Sequence, residues 1–262
     1  MTTTLATALL DDLTAYPQAG CTTIELWLTK LEQALERISP GELRKRWSDS
    51  GLRCPAAAYQ GGLLLTQGDE RRVHFEHFKR RLDLCQSLQV PVLCVVADFI
   101  GPVTTTDLER AVVSLAQAAQ WAAGFGVRLA LEFRGTSTFC NNLDTALALV
   151  AQCGEDNVGV CLDMFHFYQG PSKFEDLGLL TPKNLAHVQV CDVAGVPREL
   201  MSDSDRVMPG DGDFRLEPLI ARLRQIGYTG AIALELFNPT FWQMKPTQVV
   251  EIGWTALQQL LA

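Results

Sequence analysis

Three acids and one amide occupy matching positions in four apolar segments of the second half of the chain. In Val127-Arg-Leu-Ala-Leu-Glu-Phe133, the residues Val127, Leu129, Leu131 and Phe133 share one face and Ala130 and Glu132 the other, the alternation of a β-strand. Val158-Gly-Val-Cys-Leu-Asp163 divides the same way, with Asp163 last on the small-residue face, and Ala231-Ile-Ala-Leu-Glu-Leu236 does so with Glu235. Leu185-Ala-His-Val-Gln-Val-Cys191 sets Val188 and Val190 against His187 and Gln189. If the apolar faces pack against helices, then Glu132, Asp163, Gln189 and Glu235 all point inward at similar height. Any one of these acids alone could be a polar residue at a strand end. Converging carboxylates repel one another when ionised, and buried charges are normally paired or metal-bound. The register therefore predicts one divalent metal ion held by Glu132, Asp163, Gln189 and Glu235. A donor set made only of oxygen favours Mn2+ or Mg2+.

A cation at that place polarises a ketone and its neighbouring hydroxyl and eases removal of the adjacent proton. Glu132 and Glu235 are then the acid/base pair around an enediolate, and His166, three residues after Asp163, is a proton shuttle or substrate contact. A plain supporting histidine is the other reading of His166. His187, one layer lower, is either a satisfied core histidine or a further substrate-side group. The segment 193–214 lacks periodicity and is long for a connection, which marks it as functional or disordered. It carries Arg206, whose guanidinium can fork onto a substrate carboxylate or hydroxyl pair, or else pins the loop to Asp192 or Asp205. Phe167, Tyr168, Phe237, Phe241 and Trp242 follow two of the strands and either wall a pocket or form a subunit contact in a homo-oligomer.

The elements that must position these residues alternate along the chain. Strands are expected at Thr4–Leu10, Thr23–Leu28, Leu52–Tyr59, Pro91–Asp98, Val127–Phe133, Val158–Phe165, Leu185–Cys191 and Ala231–Phe237. Helical spacing fills the gaps. Leu108, Val112, Leu115 and Ala119 follow a cap at Asp107; Asp144 starts another helix; Leu216, Leu219, Ile220 and Leu223 line one closed by Gly227; Pro246 opens the last. The first helix, near Asp11–Gln18, is short and holds Pro17. Eight strand–helix units imply a closed parallel sheet, a (β/α)8 TIM barrel, with residues 1–262 as one domain. Barrel sites lie at the C-terminal ends of the strands, where the acids fall.

Composition removes other classes. A net charge of −8 and no basic stripe argue against nucleic acid; Arg44-Lys45-Arg46 and Lys79-Arg80-Arg81 read as solvated helix faces. No apolar run is long enough to span a bilayer, and no positive stretch precedes the apolar start, so neither a membrane segment nor a secretion signal is expected. The eight cysteines form no C-x-x-C pair and several lie inside apolar runs. Buried reduced thiols, and a cytoplasmic setting, are the expectation.

Leu129-Ala-Leu-Glu-Phe-Arg-Gly135, Asn157-Val-Gly-Val-Cys-Leu-Asp-Met-Phe-His-Phe167, His187-Val-Gln-Val-Cys-Asp192, Asp205-Arg-Val-Met-Pro-Gly-Asp-Gly212 and Leu234-Glu-Leu-Phe237 together resemble the xylose-isomerase-like TIM-barrel superfamily, nearest its inosose isomerase type, with 3-dehydroshikimate dehydratases close by. The first half matches only in rhythm. The resemblance implies metal ligands at Glu132, Asp163, Gln189 and Glu235, Zn2+ or Co2+ as alternative ions, and a small polyhydroxy carbonyl substrate. Many sugar-epimerizing members carry His where Gln189 stands, and some dehydratase-type members carry Gln. An isomerase or epimerase of a sugar, ketose or inosose is thus the first expectation and a dehydratase-type lyase the second. DNA-cleaving relatives hold several metals with many histidines, and this chain has four. A non-catalytic ligand-binding barrel is the remaining class.

Overall fold

The computed structural model describes all 262 residues, Met1–Ala262. Apolar runs rich in Val, Leu and Cys form the parallel strands β1 (Leu26–Trp27), β2 (Ala57–Gln60), β3 (Val92–Val96), β4 (Arg128–Glu132), β5 (Val158–Asp163) and β6 (Leu185–Val190). A short antiparallel pair follows, β7 (Asp192–Val193) with β8 (Arg206–Val207), and β9 (Ile232–Leu234) ends the barrel sheet. The seven barrel strands pair in the order β1-β2-β3-β4-β5-β6-β9. Between them, helices such as Gly68–Ser87, Thr105–Gly124, Leu143–Cys153 and Pro246–Leu261 cover the outer face.

The expected strand Thr4–Leu10 does not form. Thr2–Thr4 make a turn of 3-10 helix, and Leu9–Gln18 are α-helical, with Leu9, Leu13 and Tyr16 recurring on the buried face. That spacing of three and four residues outweighs the threonine-rich start. The N-terminal turn stands in the gap where an eighth strand was expected. The Met1 amine donates to the Glu25 carbonyl beside β1 (3.0 Å), and Leu236 N–H donates to Thr2 Oγ1 (2.9 Å) beyond β9. Side-chain and terminal hydrogen bonds thus bridge the two edge strands in place of a ladder.

Other boundaries shift by a few residues. β5 stops at Asp163, because the Asp163 carboxylate accepts the Phe165 N–H (2.9 Å) and starts the helix Met164–Gln169. The cap of Thr105–Gly124 is Thr104; Asp107 is its reciprocal partner in a capping box. Asn142, not Asp144, caps Leu143–Cys153, while Pro246 opens the last helix as expected. Arg81 is not solvated: it is 7% exposed and its guanidinium grips Glu32 and the Tyr59 carbonyl.

The alternation within strands separates two packing regions. Leu129, Leu131, Val160, Leu162 and Val188 join the large core between sheet and helices. Ala58, Cys94, Ala130, Cys161 and Ala186 form a small cluster inside the barrel. Small residues there leave room at the top of the strands for larger polar side chains.

Candidate active site

The top of the barrel gathers the four residues whose register set them apart. Glu132 ends β4, Asp163 ends β5 and pairs in register with Gln189 of β6, and Glu235 follows β9, its N–H donating to the Val190 carbonyl (3.0 Å). All four are buried, from 0% to 5% exposed, so their polar atoms must be satisfied within the protein. The helix that Asp163 caps brings His166 back over the cluster. Its Nε2 lies 3.4 Å from Glu132 Oε1 and 3.7 Å from Asp163 Oδ2, and its Nδ1 is buried with no hydrogen-bond partner.

Arg206 occupies the centre. Its Nη2 donates to Asp163 Oδ2 (2.8 Å) and Asp203 Oδ1 (2.9 Å), its Nη1 to Glu235 Oε2 (3.1 Å), and its Nε to Asp203 (3.1 Å). The guanidinium also lies over the Phe165 ring, 4.3 Å from its centroid. Neither Asp192 nor Asp205, the acids expected to pin the loop through this arginine, is its partner. Arg206 is 1% exposed and fully engaged, so it has no free donor edge for a substrate carboxylate in this arrangement.

Asp192 holds the loop through backbone N–H groups instead. It accepts from Val193 (2.9 Å), Gly210 (3.0 Å) and Phe214 (2.8 Å). Gly212 packs so closely that a Cβ there would sit 2.3 Å from Asp192 Oδ1. The β7–β8 pair and this carboxylate nest fix the segment that carries Arg206, which accounts for Pro209-Gly-Asp-Gly212 without a substrate role.

Gln189 donates through Nε2 to Glu25 Oε1 (2.8 Å) and Glu235 Oε1 (3.2 Å), while Cys161 Sγ donates to its Oε1 (3.1 Å). Metal ligation through the Gln189 oxygen would need the amide turned over, so that Oε1 rather than Nε2 faces Glu235. His187 lies one layer lower, with Nε2 3.4 Å from Glu25 Oε1. Charge at the centre is unbalanced. Burial raises the Glu235 carboxyl well above its usual range, and the charges of Asp163 and Glu132 push the same way, against Arg206. Burial also pushes Asp163 up, but Arg206 and His166 outweigh it and hold that carboxyl below its usual value.

A cavity of about 190 Å3 opens above the cluster, bordered by Glu132, His166, Arg206 and Glu235 and walled by Trp27 and Phe237. Of the aromatic residues read from sequence, only Phe237 takes part in that wall. Tyr168 stacks on Phe214 at 3.9 Å, and Trp242 donates to the Thr2 carbonyl (2.8 Å). Sequence reading missed Glu25, Trp27 and Asp203. Glu25 and Trp27 alternate with Ile24, Leu26 and Leu28, the signal that singled out the other inward residues. Asp203 sits in a 3-10 turn and left no periodic trace.

A curled parallel sheet with its buried acids at the C-terminal ends of the strands defines a TIM barrel with a polar centre in the usual place. The chain belongs to the xylose isomerase-like TIM barrel family, which it matches over residues 13–258. It is 29% identical over 177 residues to the inosose isomerase of Halalkalibacterium halodurans, a match covering 66% of this chain and 63% of that protein. It is 27% identical over 251 residues to the 3-dehydroshikimate dehydratase of Pseudomonas aeruginosa, covering 92% of this chain and 38% of that one. Among solved structures it superposes on the IOLI protein, crystallised with a zinc atom, at a TM-score of 0.93, with 24% identity and coverage of 99% and 95%. No helix is long and apolar enough to cross a membrane.

Proposed function

We propose that this chain is a divalent-metal-dependent isomerase or epimerase of a sugar, ketose or inosose that moves a proton at the carbon beside a carbonyl. The observation that carries the reading is the placement of Glu132 and Glu235 on the border of one small cavity, with His166 between Glu132 and Asp163. At about 190 Å3 the cavity is below the roughly 300–1,000 Å3 of drug-sized pockets, which suits a single polyol. The inosose isomerase relatives support the same chemistry.

The donor set fits a divalent cation. Arg206 sets one positive charge against the carboxylates of Glu132, Asp163 and Glu235, and the unpaired Nδ1 of His166 lies in the same cluster. Glu132, Asp163, Gln189 and Glu235 would hold the ion, with Mn2+ or Mg2+ favoured by their oxygen atoms. Bound there, such an ion supplies Lewis acidity toward a carbonyl oxygen. Glu132 and Glu235, on opposite sides of the cavity border, are the acid/base pair, with the Glu235 carboxyl pushed up by burial and its acidic neighbours, and His166 beside Glu132 relays or positions. Trp27 and Phe237 exclude water from one side of the ring. The buried thiols suit a reduced, cytoplasmic enzyme.

A dehydratase-type lyase is the second reading, favoured by the dehydratase match across 92% of the chain and by Gln189. Turnover in D2O of inososes, neutral ketoses and 3-dehydroshikimate by protein loaded with Mn2+ tests both. Deuterium entering the carbon beside the carbonyl of an isomerised product is the expected result. Transfer of the substrate hydrogen with no exchange at any position, or elimination of water from 3-dehydroshikimate alone, overturns the first reading.

A further inference from the structure

Two guanidinium groups border the cavity above the carboxylates, and they differ in how they are engaged. Arg206 is sealed and satisfied by Asp163, Asp203 and Glu235. Arg134 is not. Its Nη2 lies 3.7 Å from Asp203 Oδ2, beyond hydrogen-bonding reach, and its side chain is 34% exposed at the mouth. Its Nε is buried with no hydrogen-bond partner. An unpaired buried donor on a charged group is costly, and such an atom in a native interior calls for a partner.

The backbone that carries this arginine is fixed. Arg134 follows β4, just past Glu132. Its N–H donates to the Cys140 carbonyl (3.3 Å), and its own carbonyl accepts the Ser137 N–H (2.9 Å). Thr138 Oγ1 ties the same turn to the Gly101 carbonyl (2.6 Å). Gly135 crosses Gly170 so closely that a Cβ would sit 2.7 Å from the Gly170 nitrogen. A held backbone with an unengaged head group is the preorganisation a ligand-binding side chain needs. Structural arginines of this chain, such as Arg81, have their head groups paired. β4 is the middle strand of the sheet order, so Arg134 stands across the mouth from β1 and β9, where Trp27 and Phe237 form the aromatic wall. A ring lying on that wall directs a substituent toward the guanidinium.

We propose that Arg134 binds a carboxylate on the substrate, so that this barrel selects a polyhydroxy carbonyl compound that is also an acid. The inference rests on the proton-transfer reading above for the place of the reacting carbon; it adds what the substrate carries at its other end, not which bond breaks. A guanidinium presents parallel N–H donors that match the two oxygens of a carboxylate. A single negative charge suits the site better than a phosphate dianion. Glu132, Asp203 and Glu235 border the same cavity and repel added negative charge, and Arg134 is its one unengaged guanidinium. Asp203 draws the guanidinium toward the mouth while leaving Nε free.

The test is calorimetric titration of the Mn2+-loaded full chain with matched probes: glucuronate, glucose and glucose 6-phosphate, which differ only at C6, and quinate beside myo-inositol. The native chain should bind at least one acid more tightly than its neutral partner. Arg134→Met keeps the apolar stem and should weaken that acid, relative to the neutral ring, by about 10- to 150-fold, the usual effect of losing a charge-assisted contact. Arg134→Lys should recover part of the loss, because a point charge cannot fork. Native urea midpoints in both variants separate binding from folding. No acid preferred by the native chain, a preference that survives Arg134→Met, or equal losses for acid and neutral ring would each overturn the proposal. Glucose 6-phosphate bound more tightly than glucuronate would overturn the carboxylate. Turnover is scored separately. Deuterium exchange in neutral ketoses that Arg134→Met leaves untouched keeps the proton-transfer reading and removes the acid; acid-selective binding through Arg134 with no exchange in any substrate does the reverse.

Discussion

Arg206 Nη2 lies 2.8 Å from Asp163 Oδ2, and both side chains are sealed from solvent. The same guanidinium reaches Glu235, so one cation restrains two acids that would otherwise repel. Removing it leaves buried charge uncompensated, a change that typically costs about 3–5 kcal/mol. Arg206→Ala should therefore be much less stable than the native chain without metal, and added Mn2+ should restore more stability to the variant than it gives the native chain. Urea midpoints with and without Mn2+ check this. Equal metal stabilisation in both proteins would show that Arg206 and the ion do not share ligands.

The proposed acid/base role of Glu235 gives a second expectation. Glu235→Gln keeps the shape of the side chain but cannot give up a proton, and acid/base groups contribute about 10²–10⁴-fold. Turnover should fall by that order while Asp163→Asn chiefly weakens metal affinity. Separate measurements of kcat and of metal dissociation resolve the two effects; equal losses in both quantities for both variants would erase the distinction.

Gly212 offers a test of loop order. A Cβ would meet Asp192 Oδ1 at 2.3 Å, so Gly212→Ala must loosen the nest that holds Val193, Gly210 and Phe214. Overpacking of this kind costs about 1–3 kcal/mol. The variant should be cleaved faster by trypsin at Arg198 or Arg206 and should lose kcat/KM without touching a proposed ligand. Native cleavage rates in Gly212→Ala would remove Asp192 as the anchor.

Stability should decline at alkaline pH. Burial pushes the Cys85 and Cys140 thiols up to about 12 and Cys21 up to about 11. Thiols of the unfolded chain ionise near pH 8.5. A group whose folded pKa is the higher one contributes stability that is complete below the unfolded pKa and fades as pH rises through the folded one. Each such thiol therefore tilts stability downward by up to about 1.4 kcal/mol per pH unit between roughly pH 9 and 11. Chemical denaturation across that range, on zinc-free protein, should show a shallower decline for Cys140→Ala than for the native chain. Parallel declines would contradict the protonated buried thiol.

The barrel and its acids were readable because strand periodicity is local. Glu132, Asp163 and Glu235 each follow a small residue on the inward face and Gln189 follows His187, and the buried position of all four at the strand ends persists in the fold. Thr4–Leu10 misled because the buried spacing of Leu9, Leu13 and Tyr16 extends past the window that resembled a strand. The partners of Arg206 were not readable at all. They depend on where the loop 193–214 returns, which the Asp192 nest decides through backbone groups that any sequence possesses. Arg81 fails for a related reason: its partner Glu32 is distant in sequence, and nothing in a run of three basic residues marks which one turns inward.

Trp27 carries a consequence of a practical kind. The chain has five tryptophans, and Trp27 is the one in the cavity wall, 5.4 Å from the Phe237 ring and 5.2 Å from Tyr59. An indole so placed is a built-in optical probe. Its emission will shift when a solute replaces water against its face, and paramagnetic Mn2+ or Co2+ near the acids will quench it in preference to the tryptophans outside the cavity. Binding to this barrel is thus open to direct spectroscopic titration independently of turnover.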